Sequence, residues 1–307
     1  MSNHYHLVLR IDTERAKQWS PQEIVERWTR LFSGPACAKR YVRGEPLAEW
    51  ERRLLDGLIP TWSARLTDLS WFMRCLNEWM ARLANQEDGC TGRFWEGRFK
   101  SQARLDETAL LTAITYVDLN PIRAGIAATL IDSDFTSVQQ RLFEIARGRR
   151  NVDSNSADAK PALLPFVGAM HQDSDAALPF NLQDYLDVVD TSGRVARSDK
   201  RGAISADQPK LLTMLGIDPN EWFKTVTRLQ ARFELFVGAP HRLRQIATAR
   251  GWRWVRGLAA GQRLYARANE QRHFNHPNIY CSSAEQRFGQ QSFRSKMDSN
   301  VSHWHAP

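Results

Sequence analysis

Apolar residues recur at spacings of three and four through most of this chain and alternate in two short stretches, a pattern of many helices and few strands. The first alternation lies at the start, in His4-Tyr5-His6-Leu7-Val8-Leu9-Arg10. As a strand it sends His4, His6, Val8 and Arg10 to one face and Tyr5, Leu7 and Leu9 to the other. The second begins at Arg98, with Arg98, Lys100, Gln102 and Arg104 on one face and Phe99, Ser101, Ala103 and Leu105 on the other. Between them, Ser20-Pro21-Gln22-Glu23 has the form of a helix start, and Ile24, Val25, Trp28 and Leu31 share the face that follows. A second helix is predicted over Leu47–Leu58, before Pro60. A longer one is predicted over 64–86, with Leu66, Leu69, Phe72, Met73, Leu76, Met80 and Leu83 as a core stripe. A further helix, capped by Asp106, carries Leu110, Leu111, Ile114 and Val117. It ends at Asn120-Pro121, because proline disfavours helical geometry in the residue before it.

These segments divide the chain into a domain over residues 1–146 with a helical insertion at 11–63, and a polar linker over 147–162. A small helical accessory domain over 163–268 carries Leu182, Tyr185, Leu186, Val189, Leu211, Leu212, Leu215, Trp222, Phe233 and Phe236. Residues 269–307 show no period and are expected to be a disordered tail.

Composition narrows the partners. The 307 residues carry a net charge of +8 and eleven tryptophans, which favours an acidic partner such as nucleic acid. The cysteines, Cys37, Cys75, Cys90 and Cys281, form no C-x-x-C pair and read as reduced thiols of an intracellular, cytoplasmic protein. No apolar run reaches the length of a membrane span, and no signal peptide opens the sequence.

Two imidazoles two residues apart on one strand face lie roughly 6–7 Å apart at Cα and can converge on one metal ion. The basic strand, with Arg93 and Trp95 just ahead of it, suits a phosphate backbone with stacked bases. Tyr116 and Asn120, one helical turn apart, project from nearly the same side.

In order along the chain, His4-Tyr5-His6, Leu69–Arg74, Gly92–Ser101 and Tyr116-Val-Asp-Leu-Asn-Pro-Ile-Arg-Ala-Gly125 make the sequence resemble the single-tyrosine transposases with a His-hydrophobic-His (HUH) motif, in particular the REP-associated tyrosine transposases. The resemblance covers residues 1–10 and about 64–143. It implies an α+β, ferredoxin-like HUH nuclease domain that nicks and rejoins single-stranded or hairpin DNA in transposition. His4 and His6 would bind a divalent metal, Mg2+ or Mn2+, Asn120 would be a third metal contact, and Tyr116 would be the nucleophile forming a 5′-phosphotyrosine. The DNA contacts expected are Arg93, Trp95, Arg98, Lys100, Arg104 and Arg123. Such a protein would be nucleoid-associated, and the resemblance leaves a single chain and a homodimer both open.

Each residue also has an ordinary structural explanation. The histidines can be surface groups, Tyr116 a buried helix tyrosine, Asn120-Pro121 a helix stop, the basic strand a solvated face and Arg123 a surface charge. The strand and helix that precede the histidine motif in the family are missing from the domain, as in a truncated copy or one with a misassigned start. The alternatives are therefore a catalytically inactive DNA-hairpin-binding relic and a metal hydrolase of another kind, the latter lacking the further carboxylates and histidines that such a site needs.

Overall fold

The computed structural model describes residues 4–148, 163–167, 177–196, 209–266 and 279–285. It is mixed helix and strand, and its described residues fall into two compact units, one of 4–5, 10–100 and 283–285, the other of 6–9 and the described residues from 101 to 282. The predicted boundaries differ: residues 163–266 are not a separate accessory domain but belong to the same unit as 101–148.

The first unit is helical: α1 (Thr13–Lys17), α2 (Pro21–Leu31), α3 (Ala36–Val42), α4 (Glu49–Leu66) and α5 (Leu69–Glu87). The predicted start of α2 is a full capping box. The Ser20 hydroxyl accepts from the Glu23 backbone N–H at 3.2 Å, and the Glu23 carboxylate accepts from the Ser20 N–H at 2.8 Å. The core of the unit joins Val25, Trp28, Cys37, Ala38, Leu55 and Trp62. The Trp28 and Trp62 rings stack with centroids 5.2 Å apart. A stacked aromatic pair contributes about 1 kcal/mol beyond the area it buries. This stack corrects one predicted boundary. α4 does not stop before Pro60 but runs through it to Leu66, because the last turns seat Trp62 in the core. A further correction concerns α5. It starts at Leu69, where Asp68 caps it, and only Met73 and Ala84 are buried on it while Phe72 stays 45% exposed. The core stripe predicted there is thus half covered.

The described residues form four strands, β1 (His4–Arg10), β2 (Lys100–Arg104), β3 (Phe236–Val237) and β4 (Ile279–Glu285), in the order β1-β4-β2-β3, of which residues 6–9, 101–104, 236–237 and 279–282 lie in the second unit. β2 and β3 run parallel, with Ala103 opposite Phe236 and Arg104 opposite Val237. β4 falls inside the segment expected to be disordered; the rest of that tail, and almost all of the predicted linker, lie outside the described residues.

The helices described in this unit are α6 (Glu107–Asp118), α7 (Asn120–Arg123), α8 (Ser137–Gly148), α9 (Leu182–Ala196), α10 (Lys210–Met214), α11 (Pro219–Thr227), α12 (Leu229–Arg232), α13 (Pro240–Ala249) and α14 (Leu258–Leu264). α6 is at the centre, buried continuously from Thr108 to Tyr116. One core joins Leu110, Leu111, Leu119 and Ile122 to Tyr185, Val189, Leu212 and Trp222, so the helices after residue 163 close over α6 and α7. Gly193 makes the approach possible, since a Cβ there would lie 3.2 Å from Leu119 Cδ2.

An aspartate holds each end of α6, Asp118 fully buried and Asp106 partly so. Asp106 caps the helix, as predicted, accepting from Ala109 N–H at 2.8 Å, and it also accepts from Ala239 N–H at 2.6 Å and from the Tyr265 hydroxyl. Asp118 accepts from the Ser137 hydroxyl at 2.8 Å, from Val138 N–H at 3.3 Å and from the Tyr185 hydroxyl, which ties α6 to the starts of α8 and α9. Burial pushes both carboxyls up from the usual aspartate range, against the pull of these donors.

Candidate active site

Tyr116 lies in the last turn of α6, where the chain breaks at Leu119 and re-forms as the single turn of α7 with Pro121 near its start. The helix stop predicted at Asn120-Pro121 therefore comes one residue early, and Asn120 begins a new turn. The His6 ring, reached from β1, stands edge-on to the Tyr116 ring with centroids 5.5 Å apart and planes at 74°. On Tyr116 also sits the Arg123 guanidinium, 3.9 Å from the ring centroid. Arg123 donates to the Tyr116 carbonyl at 3.2 Å, to Asn120 Oδ1 at 2.9 Å and to the Thr227 carbonyl at 3.1 Å. The Tyr116 side chain is buried, only 8% exposed.

Four of the predicted site residues are brought together in this way: His6, Tyr116, Asn120 and Arg123. Two of them have other roles than those expected. Asn120 presents its amide oxygen to a guanidinium, which occupies the atom that a third metal contact would use. Arg123 turns both terminal nitrogens to internal acceptors, in place of the DNA contact expected of it. His4 precedes His6 by two residues on β1, and strand alternation gives both the same side. Tyr5, between them, is buried against Trp95, with its hydroxyl donating to Asn77 Oδ1 at 2.5 Å, and burial holds the phenol above its ordinary range.

As held, the Asn120 side chain does not fit the third metal contact expected of it. The amide oxygen is taken by a positive group, and a fixed cation beside it repels a second one. Among the described residues no cluster of three His, Cys, Asp or Glu side chains has metal-binding spacing. The two imidazoles are what remains of the expected ligand set, and they suit softer ions better than magnesium.

The predicted basic strand is divided. Arg93, Arg98 and Lys100 are exposed, as a phosphate-binding group requires. Arg104 is fully buried and donates to Gln102 Oε1 at 3.1 Å, while Gln102 donates to the Phe233 carbonyl at 3.1 Å. With no exposed surface, Arg104 as placed cannot make the DNA contact expected of it. Trp95 is packed edge-on against Tyr5 and Phe94, and its indole N–H donates to the Asn77 carbonyl at 2.8 Å. It is a structural wedge and not an open stacking surface.

A basic cleft that sequence reasoning missed adjoins this site. It has a volume of about 640 Å³ and is lined by Glu221, Lys224, Thr227, Arg228, Arg232 and Arg263, among others. Glu221 accepts from Arg232 at 2.5 Å and from Lys224 at 2.9 Å, with Arg263 at 3.4 Å. The Arg232 and Lys224 hydrogen bonds lower its carboxyl from 4.5 to about 2. Four cations against one carboxylate leave the cleft positive. Thr227, whose carbonyl holds Arg123, connects its wall to Tyr116. The signal available in the sequence was the helical spacing of Glu221, Lys224 and Arg228. No protein-family model matches the chain, and no match was found among curated proteins or solved structures.

Proposed function

We propose that the chain is a transposase-like enzyme that nicks and joins single-stranded or hairpin DNA through Tyr116, on an α+β core of the ferredoxin-like HUH type. The observation that carries the reading is the pairing of the His6 and Tyr116 rings, which come from the two motifs of the resemblance and lie far apart in the sequence. The exposed Arg93, Arg98 and Lys100, and the positive cleft beside Tyr116, support an anionic strand as substrate. In the step proposed, the Tyr116 oxygen attacks phosphorus and gives up its proton to solvent. The P–O3′ bond breaks, and the departing 3′ oxygen takes up a proton. The products are a 5′-phosphotyrosine and a free 3′-hydroxyl, and the phosphoester bond is conserved for rejoining.

The test is incubation of the protein with a 3′-labelled DNA hairpin, with and without manganese, followed by denaturing electrophoresis. A covalent adduct is expected for the wild-type chain and none for Tyr116→Phe, with DNA binding retained. An adduct that persists in Tyr116→Phe rejects the assignment. A second reading, a DNA-hairpin-binding protein without catalysis, is favoured by the Arg123 guanidinium held on Asn120 Oδ1. Salt-dependent binding with no adduct under any metal would establish it over the first.

A further inference from the structure

The segment Arg250-Gly-Trp-Arg-Trp-Val-Arg256, between α13 and α14, is not used by any part of the site above. Its two tryptophans face solvent, Trp252 at 37% and Trp254 at 73% exposed. Leaving an indole in water forgoes the burial that usually holds this side chain inside. The loop is nevertheless built. At its start Gly251, at φ +67°, donates to the Thr248 carbonyl at 3.1 Å, and Trp252 N–H donates to the Ala247 carbonyl at 2.8 Å. This is a glycine-terminated helix end, with the last carbonyls of α13 satisfied. At the far end Gly257, at φ +101°, sits so close to Phe233 that a Cβ would lie 2.3 Å from the ring. Arg256 donates to the Ala231 carbonyl at 2.9 Å, and the Arg250 guanidinium lies 5.3 Å from the ring centroids of both Phe236 and Trp252. Both flanks are thus fixed, with Trp252 packed beside Phe236 at 6.1 Å between ring centroids, while the Trp254 ring between them stays open.

The charge of the loop selects the ligand. Arg250, Arg253 and Arg256 are accompanied by no carboxylate between 250 and 257, and none of the three forms an ion pair among the described residues. The loop also adjoins the basic cleft, since Arg256 holds Ala231 and the next residue, Arg232, lines that cleft. Flat aromatic faces interleaved with guanidinium groups, next to a positive groove, match unpaired bases on a phosphate backbone. A protein partner would be met by the aromatic rings but would not require three arginines without a carboxylate among them.

We propose that residues 250–257 are a base-stacking platform for single-stranded DNA, with Trp254 as the main stacking face and the cleft of α11 and α12 drawing in the backbone. This inference deepens the proposed function, on which it rests for the class of partner, and assigns a surface outside the tyrosine site. The test uses the full chain and a fluorescein-labelled oligothymidylate, with anisotropy read across a salt series. Trp254→Ala is expected to weaken binding about tenfold and leave the salt slope unchanged, while Trp254→Phe binds close to wild type. Arg253→Ala is expected to lower the salt slope by about one. Trp50→Ala, at a similarly exposed tryptophan on α4, serves as the control and is expected to change nothing.

Equal binding by wild type, Trp254→Ala and a Trp252→Ala, Trp254→Ala double variant overturns the platform. Unchanged binding together with lost self-association overturns it in favour of protein docking. If the wild type forms an adduct with a DNA hairpin while the tryptophan variants bind as well as it does, the platform fails and the tyrosine chemistry stands. If no adduct forms but Trp254→Ala loses affinity, the chemistry fails and the platform stands.

Discussion

The two terminal nitrogens of Arg123 end on two backbone carbonyls and a side-chain amide, with the guanidinium against a phenol. Arg123 closes the end of α6 and fixes the ring that the proposed reaction uses. Arg123→Ala is expected to cost about 2–3 kcal/mol in urea unfolding, since the loss includes charge-assisted hydrogen bonds and a cation–π contact. Arg123→Lys is expected to recover little of it, because an ammonium cannot span three acceptors as a planar fork does. The salt slope of DNA binding is expected to stay unchanged, and a slope lowered by about one would return Arg123 to the phosphate contacts. Glu221 works in the opposite direction, as one carboxylate among cations. Its folded value of about 2 lies below the ordinary 4.5, so its stabilisation is complete above pH 4.5 and is lost as pH falls towards 2. Glu221→Gln is expected to be less stable than wild type at neutral pH, with a flatter acid limb of stability against pH in that window.

At the level of elements, α4 runs through an exposed proline that removes one backbone donor from the helix interior. Pro60→Ala is expected to stabilise the helix, by about 1–3 kcal/mol as read by denaturant midpoint. A loss of stability would mean that the Leu55–Trp62 face depends on the bend that proline imposes. This helix also marks where the sequence stops being legible. Ser20 with Glu23, and Asp106, were readable because a cap is satisfied within the first turn. α4 was misread because what carries it past Pro60 is the stack of Trp62 on Trp28, a partner on a different helix. β3 is too short to show a period of its own, and β4 pairs with strands from far earlier in the chain. In the site, His6 and Tyr116 were legible as motif positions. The burial of Arg104 and the internal role of Arg123 were not, since their neighbours Phe233–Val237 and Thr227 come from a distant part of the sequence.

For the molecule as a whole, the consequence of the shared core is that the tyrosine site cannot be separated from the residues after 163. Leu110, Leu111, Ile114, Leu119 and Ile122 are closed over by Phe180, Tyr185, Val188, Val189, Leu212 and Trp222. Each such side chain contributes about 1.5–3 kcal/mol when buried, whereas a folded domain of ordinary size is stable by only about 5–15 kcal/mol in total. A chain ending at residue 148 uncovers these apolar groups on α6 and α7 and also removes Tyr185 and Tyr265, which donate to Asp118 and Asp106. The carboxylates at both ends of α6 then lose buried donors as well as cover. Such a truncated chain is expected to show no cooperative unfolding of the unit that carries Tyr116, and to form no adduct with a DNA hairpin. A truncated chain that unfolds cooperatively and binds DNA as the full chain does would instead make residues 163–266 the separable accessory domain that periodicity alone suggests.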